Sequence, residues 1–452
     1  MDLKKNCLVW LESLLKERFQ PELSLHIQAD GQLQLRLPTQ TCVINLSPLS
    51  DCFFQANHDL PCTQWAGANE GWPTPLNSPL PAPGATQLPT PLISQTEAHY
   101  SIAYDLLGLT YWMLTRQEEI GSTSLDQHGR FPATASHAYK HHYLERPIVD
   151  EWLAILGQVM QRAWPQLSLK QPAFCIKVSH DVDHPSLYGF CSPATLIRRL
   201  GRDLIKHHDF KSFKNLLHAP WIRLNTQQVI HPQDPYNTFD WLMDLSEHYG
   251  LVSAFYFICG GRAPQDADYQ PEHPAIRALM RSIHERGHEI GLHPSYNTYQ
   301  NPQAIVTEAQ RLKRICAEEN IQQAQWGGRM HYLRWEQPTT LQGWEQAGMD
   351  YDSSLGYADH PGFRCGTCFE YPAFDPIKQE ILHLRIRPLI VMECSIIAEN
   401  YLGLGYSEDT LKAFLNLKET CRTLGGQFTM LWHNSYFPHQ EAKQLYRHLL
   451  AC

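Results

Sequence analysis

Val178-Ser179-His180-Asp181-Val182-Asp183-His184 follows directly on the apolar run Phe174-Cys175-Ile176-Lys177-Val178. The run reads as the start of a buried strand. Residues two apart in a strand point to the same face, so Asp181 and Asp183 project together from its carboxyl end. Two ionised carboxylates held that close repel each other. A divalent cation would relieve the repulsion, with one carboxylate as ligand and the other left as a base. A strand-end turn with solvated carboxylates has the same Asp-x-Asp pattern, so the pair's partners decide between the two.

Those partners lie further along. From residue 173 onward, short apolar runs at 174–178, 252–258, 289–293, 326–329, 349–354, 383–392 and 427–432 alternate with helical patterns near 238–248, 274–286, 302–318, 338–347 and 408–423. This alternation predicts an α/β domain over 173–452 with a parallel sheet of about seven strands, open or closed as a barrel. Active sites of such folds gather at the carboxyl ends of the strands. There the 289–293 run delivers His293, an imidazole suited to zinc and similar ions. The next ends in Gly327-Gly328-Arg329-Met330-His331-Tyr332-Leu333-Arg334-Trp335. Arg329 could orient a carboxylate by a bidentate pair, which Asp352 at the following strand end could complete. Arg364 lies in the glycine-containing loop beyond. The last run delivers His433, a candidate general acid because imidazole titrates near neutrality. The isolated Cys365-Gly366-Thr367-Cys368 is a weak metal signal without a second pair. The basic stretch 198–223 reads as a solvated helix face, with an anionic sugar or nucleotide site as the alternative.

The chain has 452 residues, which predicts two domains. Its net charge of −9 argues against general nucleic-acid binding. No apolar run approaches the roughly 20 residues of a membrane span. Thirteen cysteines, an odd number scattered along the chain, suit a reducing compartment, so the cytoplasm is expected. The N-terminal residues read as an amphipathic helix rather than a signal peptide. Residues 1–165 form an α+β accessory domain in this reading, of unknown role. It has a hairpin turning at Asp30-Gly31, an extended surface loop carrying seven prolines between Pro73 and Pro91, and helices over 96–119 and 149–163. His141-His142 reads as surface. A Pro-flanked linker around 165–172 closes the domain.

The motifs from 173 onward resemble the polysaccharide deacetylase family (NodB homology, carbohydrate esterase family four). His180-Asp181-Val182-Asp183 is similar to the family's first motif, with its base and metal-binding aspartates. Gly287-His288-Glu289-Ile290-Gly291-Leu292-His293 resembles the approach to its metal-histidine motif, Arg329-Met330-His331-Tyr332 its Arg-x-x-Tyr motif, and Leu431-Trp432-His433 its final motif with the acid histidine. Residues 104–149, with HGRF and ERPIVDEW, are similar to an uncharacterised domain preceding some bacterial deacetylase-like domains. The resemblance implies an irregular (β/α) barrel and a metal-dependent hydrolase removing an acyl group, acetyl foremost, from an N-acylated sugar or polysaccharide. It implies a divalent ion, zinc foremost, on Asp183, His293 and Asn297. Asp181 would be the base, held by Arg329 with help from Asp352, and His433 the acid. Tyr332, Trp335 and Arg364 are the expected carbohydrate-binding residues. The chain departs from the family at Asn297, where a second metal histidine is usual. An amide oxygen suits zinc less well. Ligation by Asn297, replacement by water or by another side chain such as His288, and loss of the metal all stay open. A catalytically silent glycan- or partner-binding protein is therefore one rival. A metal-dependent glycosyltransferase using Asp-x-Asp is another, which leaves His293 and His433 without a task.

Overall fold

The computed structural model of the protein describes residues 3–38, 40–190, 194, 196–198, 229–261, 263–437 and 439–451. The basic stretch 198–223 falls outside these residues except for Arg198. Its reading as a helix face or an anion site therefore has no structural counterpart here.

The hairpin at Asp30-Gly31 is present. Strand β1 (Ser24–Ile27) pairs antiparallel with β2 (Leu33–Arg36), Ser24 opposite Arg36. Leu33 and Leu35 are buried and Arg36 is exposed, the alternation of a strand with one wet face. β3 (Val43–Leu46), β6 (Ile93–Gln95) and β7 (His99–Ile102) complete a five-stranded sheet in the order β1-β2-β3-β7-β6. The expected helix over 96–119 is corrected. His99–Ile102 is strand, paired on both sides, and the helix runs only over Leu106–Leu114. Asp105 starts it, its side chain accepting from Gly108 N at 2.7 Å. The proline-rich stretch is not all surface. β5 (Leu80–Pro83) is buried and pairs with β4 (Cys62–Trp65). Helix Ile148–Ala163 lies where expected.

The second sheet holds nine strands among the described residues, not seven. They are β8 (Cys175–Val182), β9 (Ser253–Ile258), β10 (Glu289–His293), β11 (Gly327–Gly328), β12 (Tyr351–Asp352), β13 (Tyr371–Asp375), β14 (Glu380–Ile386), β15 (Val391–Met392) and β16 (Gln427–Leu431). The order is β13-β14-β12-β11-β10-β9-β8-β16-β15, with every pair parallel except β13–β14. Two local features explain the extra strands. Pro388 has no N–H to give a ladder, and the expected 383–392 run splits around it into β14 and β15. Asp375 Oδ1 accepts from Ile377 N and Lys378 N, an Asx turn that folds β13 back on β14.

No ladder joins β13 to β15 among the described residues, so the sheet is open. It is nonetheless strongly curled. Four strand spacings separate β11 from β16, about 19 Å in a flat sheet. Yet histidines following those two strands stand within 3.5 and 3.6 Å of one carboxylate, Asp183. Close backbone approach assists this. A Cβ on Gly328 would collide with Leu292 O across the β10–β11 ladder.

A single hydrophobic cluster runs through both stretches of the chain. Trp10, on helix Leu3–Arg18, donates its indole N–H to Pro372 O at 2.9 Å and lies 5.2 Å from the Phe374 ring. The described cysteines form no disulfide. No helix among the described residues is long and apolar enough to cross a membrane.

Candidate active site

Asp181, Asp183, His293, Tyr332 and His433 line one cavity of about 790 Å³ at the carboxyl ends of the parallel strands. Asp181 is the penultimate residue of β8 and Asp183 lies one residue past its end. Arg329 follows β11, is fully buried, and donates from Nη1 to Asp181 Oδ1 at 2.8 Å. Its other donors reach Ser353 O and Ser353 Oγ at 2.9 and 3.0 Å, which fixes the fork. Asp181 is therefore held in a single orientation, its second oxygen 3.7 Å from His293 Nε2.

Around Asp183 the structure assembles a group that the sequence reading only half contained. His293 Nε2 lies 3.3 Å and His331 Nε2 3.5 Å from Asp183 Oδ1. Both imidazoles are fixed from behind. His293 Nδ1 donates to Arg329 O at 2.6 Å, and His331 Nδ1 donates to Asp266 Oδ1 at 3.3 Å. Each ring thus turns Nε2 towards the carboxylate. Asp183 Oδ1 and His331 Nε2 are buried and have no hydrogen-bond partner. Orphaned buried polar atoms are costly, and two that converge beside a third donor, His293 Nε2, suit a ligand position. The spacing fits a cation. Ligands about 2.0–2.1 Å from a tetrahedral ion stand about 3.3 Å apart. Burial opposes ionisation of Asp183, but His331, His293 and His433 outweigh it and hold the carboxyl well below the usual range.

Asn297 is exposed on the turn after β10, and the donor that stands with Asp183 and His293 is His331. His288, the other candidate, is at the amino end of β10, away from His293. It accepts from Ser253 N at 3.1 Å through Nδ1. The signal for His331 was present in Arg329-Met330-His331-Tyr332. Only the adjacency of β10 and β11 gives that histidine a partner.

His433 follows β16. Its Nδ1 donates to Glu393 Oε1 at 2.5 Å, leaving Nε2 towards the cavity 3.6 Å from Asp183 Oδ2. Burial alone would lower its pKa, but the buried Glu393 carboxylate, with Cys394, raises it well above the ordinary value. Glu393 was missed. Its signal is a carboxylate placed immediately after the apolar run Leu389–Met392, where an unpaired charge would be expensive.

The remaining expected residues divide. Tyr332 lines the cavity, 37% exposed, at a left-handed φ of 62°. Trp335 does not reach it. The ring is buried and its N–H donates to Asp352 Oδ2 at 3.1 Å. Asp352 is fully buried and also accepts from Ser354 N, and burial pushes its pKa up to about 6. It makes no direct bond to Arg329, to which it contributes charge alone. Arg364 is buried against Glu119 at 2.5 Å and Gly356 O at 2.9 Å, so it ties the two stretches together rather than facing a ligand. Cys365 and Cys368 are both buried in the core. A further grouping, Asp59, His137 and His141, has donor atoms within metal distance. Both ring nitrogens of His137 are engaged there, by Tyr143 OH and Leu60 O.

The first stretch also enters the cavity. Asp126, Gln127, His128, Arg130 and Pro132 form part of its wall, although nothing in their spacing announces chemistry.

Residues 16–165 match the model of a family of unknown function, DUF7033. No curated protein matches the chain. Solved structures similar to it include a Mycobacterium smegmatis protein described as a polysaccharide deacetylase, 16% identical, with a TM-score of 0.39, covering 62% of this chain and 84% of that one. A Pseudomonas aeruginosa PAO1 protein, likewise described as a polysaccharide deacetylase, is 12% identical with a TM-score of 0.37, covering 62% and 84%. Puue allantoinase is 9% identical with a TM-score of 0.37, covering 62% and 83%.

Proposed function

We propose that the protein is a metal-dependent hydrolase that cleaves the amide of an N-acylated sugar, acetyl foremost. One observation carries the reading: the buried, partnerless Asp183 Oδ1 and His331 Nε2 meet His293 Nε2 beside a second, Arg-held carboxylate. One carboxylate and two imidazoles form a donor set suited to zinc or a similar divalent ion with an open position. Such an ion would supply Lewis-acid polarisation of the amide carbonyl.

The chain's own groups do the proton work. Asp181, oriented by Arg329, takes a proton from the attacking water as its oxygen bonds to the carbonyl carbon. The carbon–nitrogen bond then breaks, and His433 Nε2 gives its proton to the departing nitrogen. Glu393 keeps His433 charged and aimed until that moment. The motive for a catalytically silent protein was the unsuitable ligand at position 297, and the His331 imidazole, a donor better suited to zinc, supports the active reading.

Metal content and acetate release test the reading together. The purified protein should hold one divalent ion per chain and release acetate from N-acetylglucosamine oligomers. Asp181→Asn should keep the ion and lose at least about 10²-fold in rate. A protein that binds no divalent ion, or an Asp181→Asn variant with full activity, ends the proposal.

A further inference from the structure

We infer that the loop 126–131 of the first stretch is the substrate subsite of this cavity, and that it selects an uncharged N-acetylated sugar through Gln127 and His128. The inference rests on the hydrolase reading above for the identity of the sugar, but its geometry is independent of the ion.

The loop is built as a rigid turn. Asp126 Oδ1 accepts from His128 N and Arg130 N at 2.8 and 3.0 Å, and Gly129 turns the chain at φ +72°. Bonds to the second stretch clamp it against the site. Arg130 Nη1 donates to Tyr332 O at 2.9 Å, and Arg334 Nε donates to His128 O at 2.7 Å. His128 Nδ1 bonds Tyr296 OH at 2.9 Å, and its ring lies 4.9 Å from that of Tyr332. The clamp on Tyr332 matters because that residue and Leu333 both hold positive φ, 62° and 55°. Such backbone persists only where surroundings over-determine it.

Charge on the wall selects the ligand. The one cation of the loop, Arg130, is consumed by Asp126 at 2.7 Å. Asp359 on the same wall accepts from Ala133 N at 3.0 Å and pairs with His360 at 3.2 Å. What faces the cavity is an amide, an imidazole and the half-open ring of Tyr332. Hydroxyl groups and the apolar face of a neutral sugar ring match that set. A sulfated, phosphorylated or carboxylated sugar would find no free cation on this loop.

The test uses the full-length, zinc-loaded protein carrying Asp181→Asn, so that ligand is not consumed, with N,N′-diacetylchitobiose as probe in calorimetry. Adding His128→Ala or Gln127→Ala should raise the Kd at least about fivefold, the size of a lost hydrogen bond. Zinc content should not change in either variant, and Tm should not change in Gln127→Ala. In the Asp181 background the same substitutions should raise KM and leave kcat within about twofold. Gln127 is exposed, so its variant folds even where His128→Ala does not. The inference is overturned if the probe does not bind, or if both variants keep the parent's Kd. Should the probe bind and depend on His128 while the wild type releases no acetate, the subsite stands and the hydrolase reading falls.

Discussion

His331→Ala is the substitution that separates the proposed metal site from one built on Asn297. His331 contributes one of three donor atoms that lie within 4.8 Å of one another. Loss of a group that merely orients a ligand costs about 10–100-fold in metal affinity. Loss of a ligand should cost no less than the upper end, so zinc Kd should rise at least about 100-fold, roughly 2.8 kcal/mol. Two comparisons calibrate the value. Asp266→Asn removes the acceptor behind His331 Nδ1 and should raise Kd by about 10–100-fold. Asn297→Ala changes an exposed side chain outside the group and should change nothing. Zinc titration against a competing chelator, with Tm measured on each apo variant, provides the readout. An unchanged Kd in a folded His331→Ala protein refutes the reasoning, as does a rise of similar size in Asn297→Ala.

Two further expectations concern groups away from the ion. Arg364→Ala should destabilise the protein by about 1–3 kcal/mol, because buried Glu119 loses one of its two guanidinium partners and keeps only Arg116, at 2.8 Å. KM should be unaffected, and a KM effect without a stability loss would restore Arg364 to the substrate site. His137 is buried and its pKa is lowered to about 4, first by burial. The unfolded chain then binds the extra proton below pH 6.5, so this group's contribution to stability is lost as pH falls from 6.5 towards 4. Between pH 7.5 and 5 the loss is about 2 kcal/mol. A urea midpoint in His137→Gln with the wild type's full pH dependence would contradict this.

The sequence carried the α/β class and most of the site because strand-end residues are marked locally. Apolar runs stop, and polar side chains follow. Asp181, Asp183, His293, Arg329 and His433 were all readable this way. What escaped depends on neighbours that the sequence does not show. His331 becomes a donor only because β11 lies beside β10. Glu393 matters because β15 lies beside β16. Trp335 and Arg364 occupy the right loops, but side-chain direction turned them into the core. The loop 126–131 joins the cavity from more than forty residues before β8, and no periodicity connects the two. The nine strands were misjudged because a proline split one run and an Asx turn hid a hairpin.

The core that threads both stretches makes their stabilities inseparable. A chain lacking the first 170 residues would bare Phe374 where Trp10 packs and leave the Arg364 guanidinium without Glu119. Losses of about 3–5 kcal/mol for each such deletion compete with a total stability of only about 5–15 kcal/mol. The protein is therefore expected to melt as one cooperative unit, which a single calorimetric transition would show. Replacing the leading stretch with another would mean rebuilding the interior on both sides.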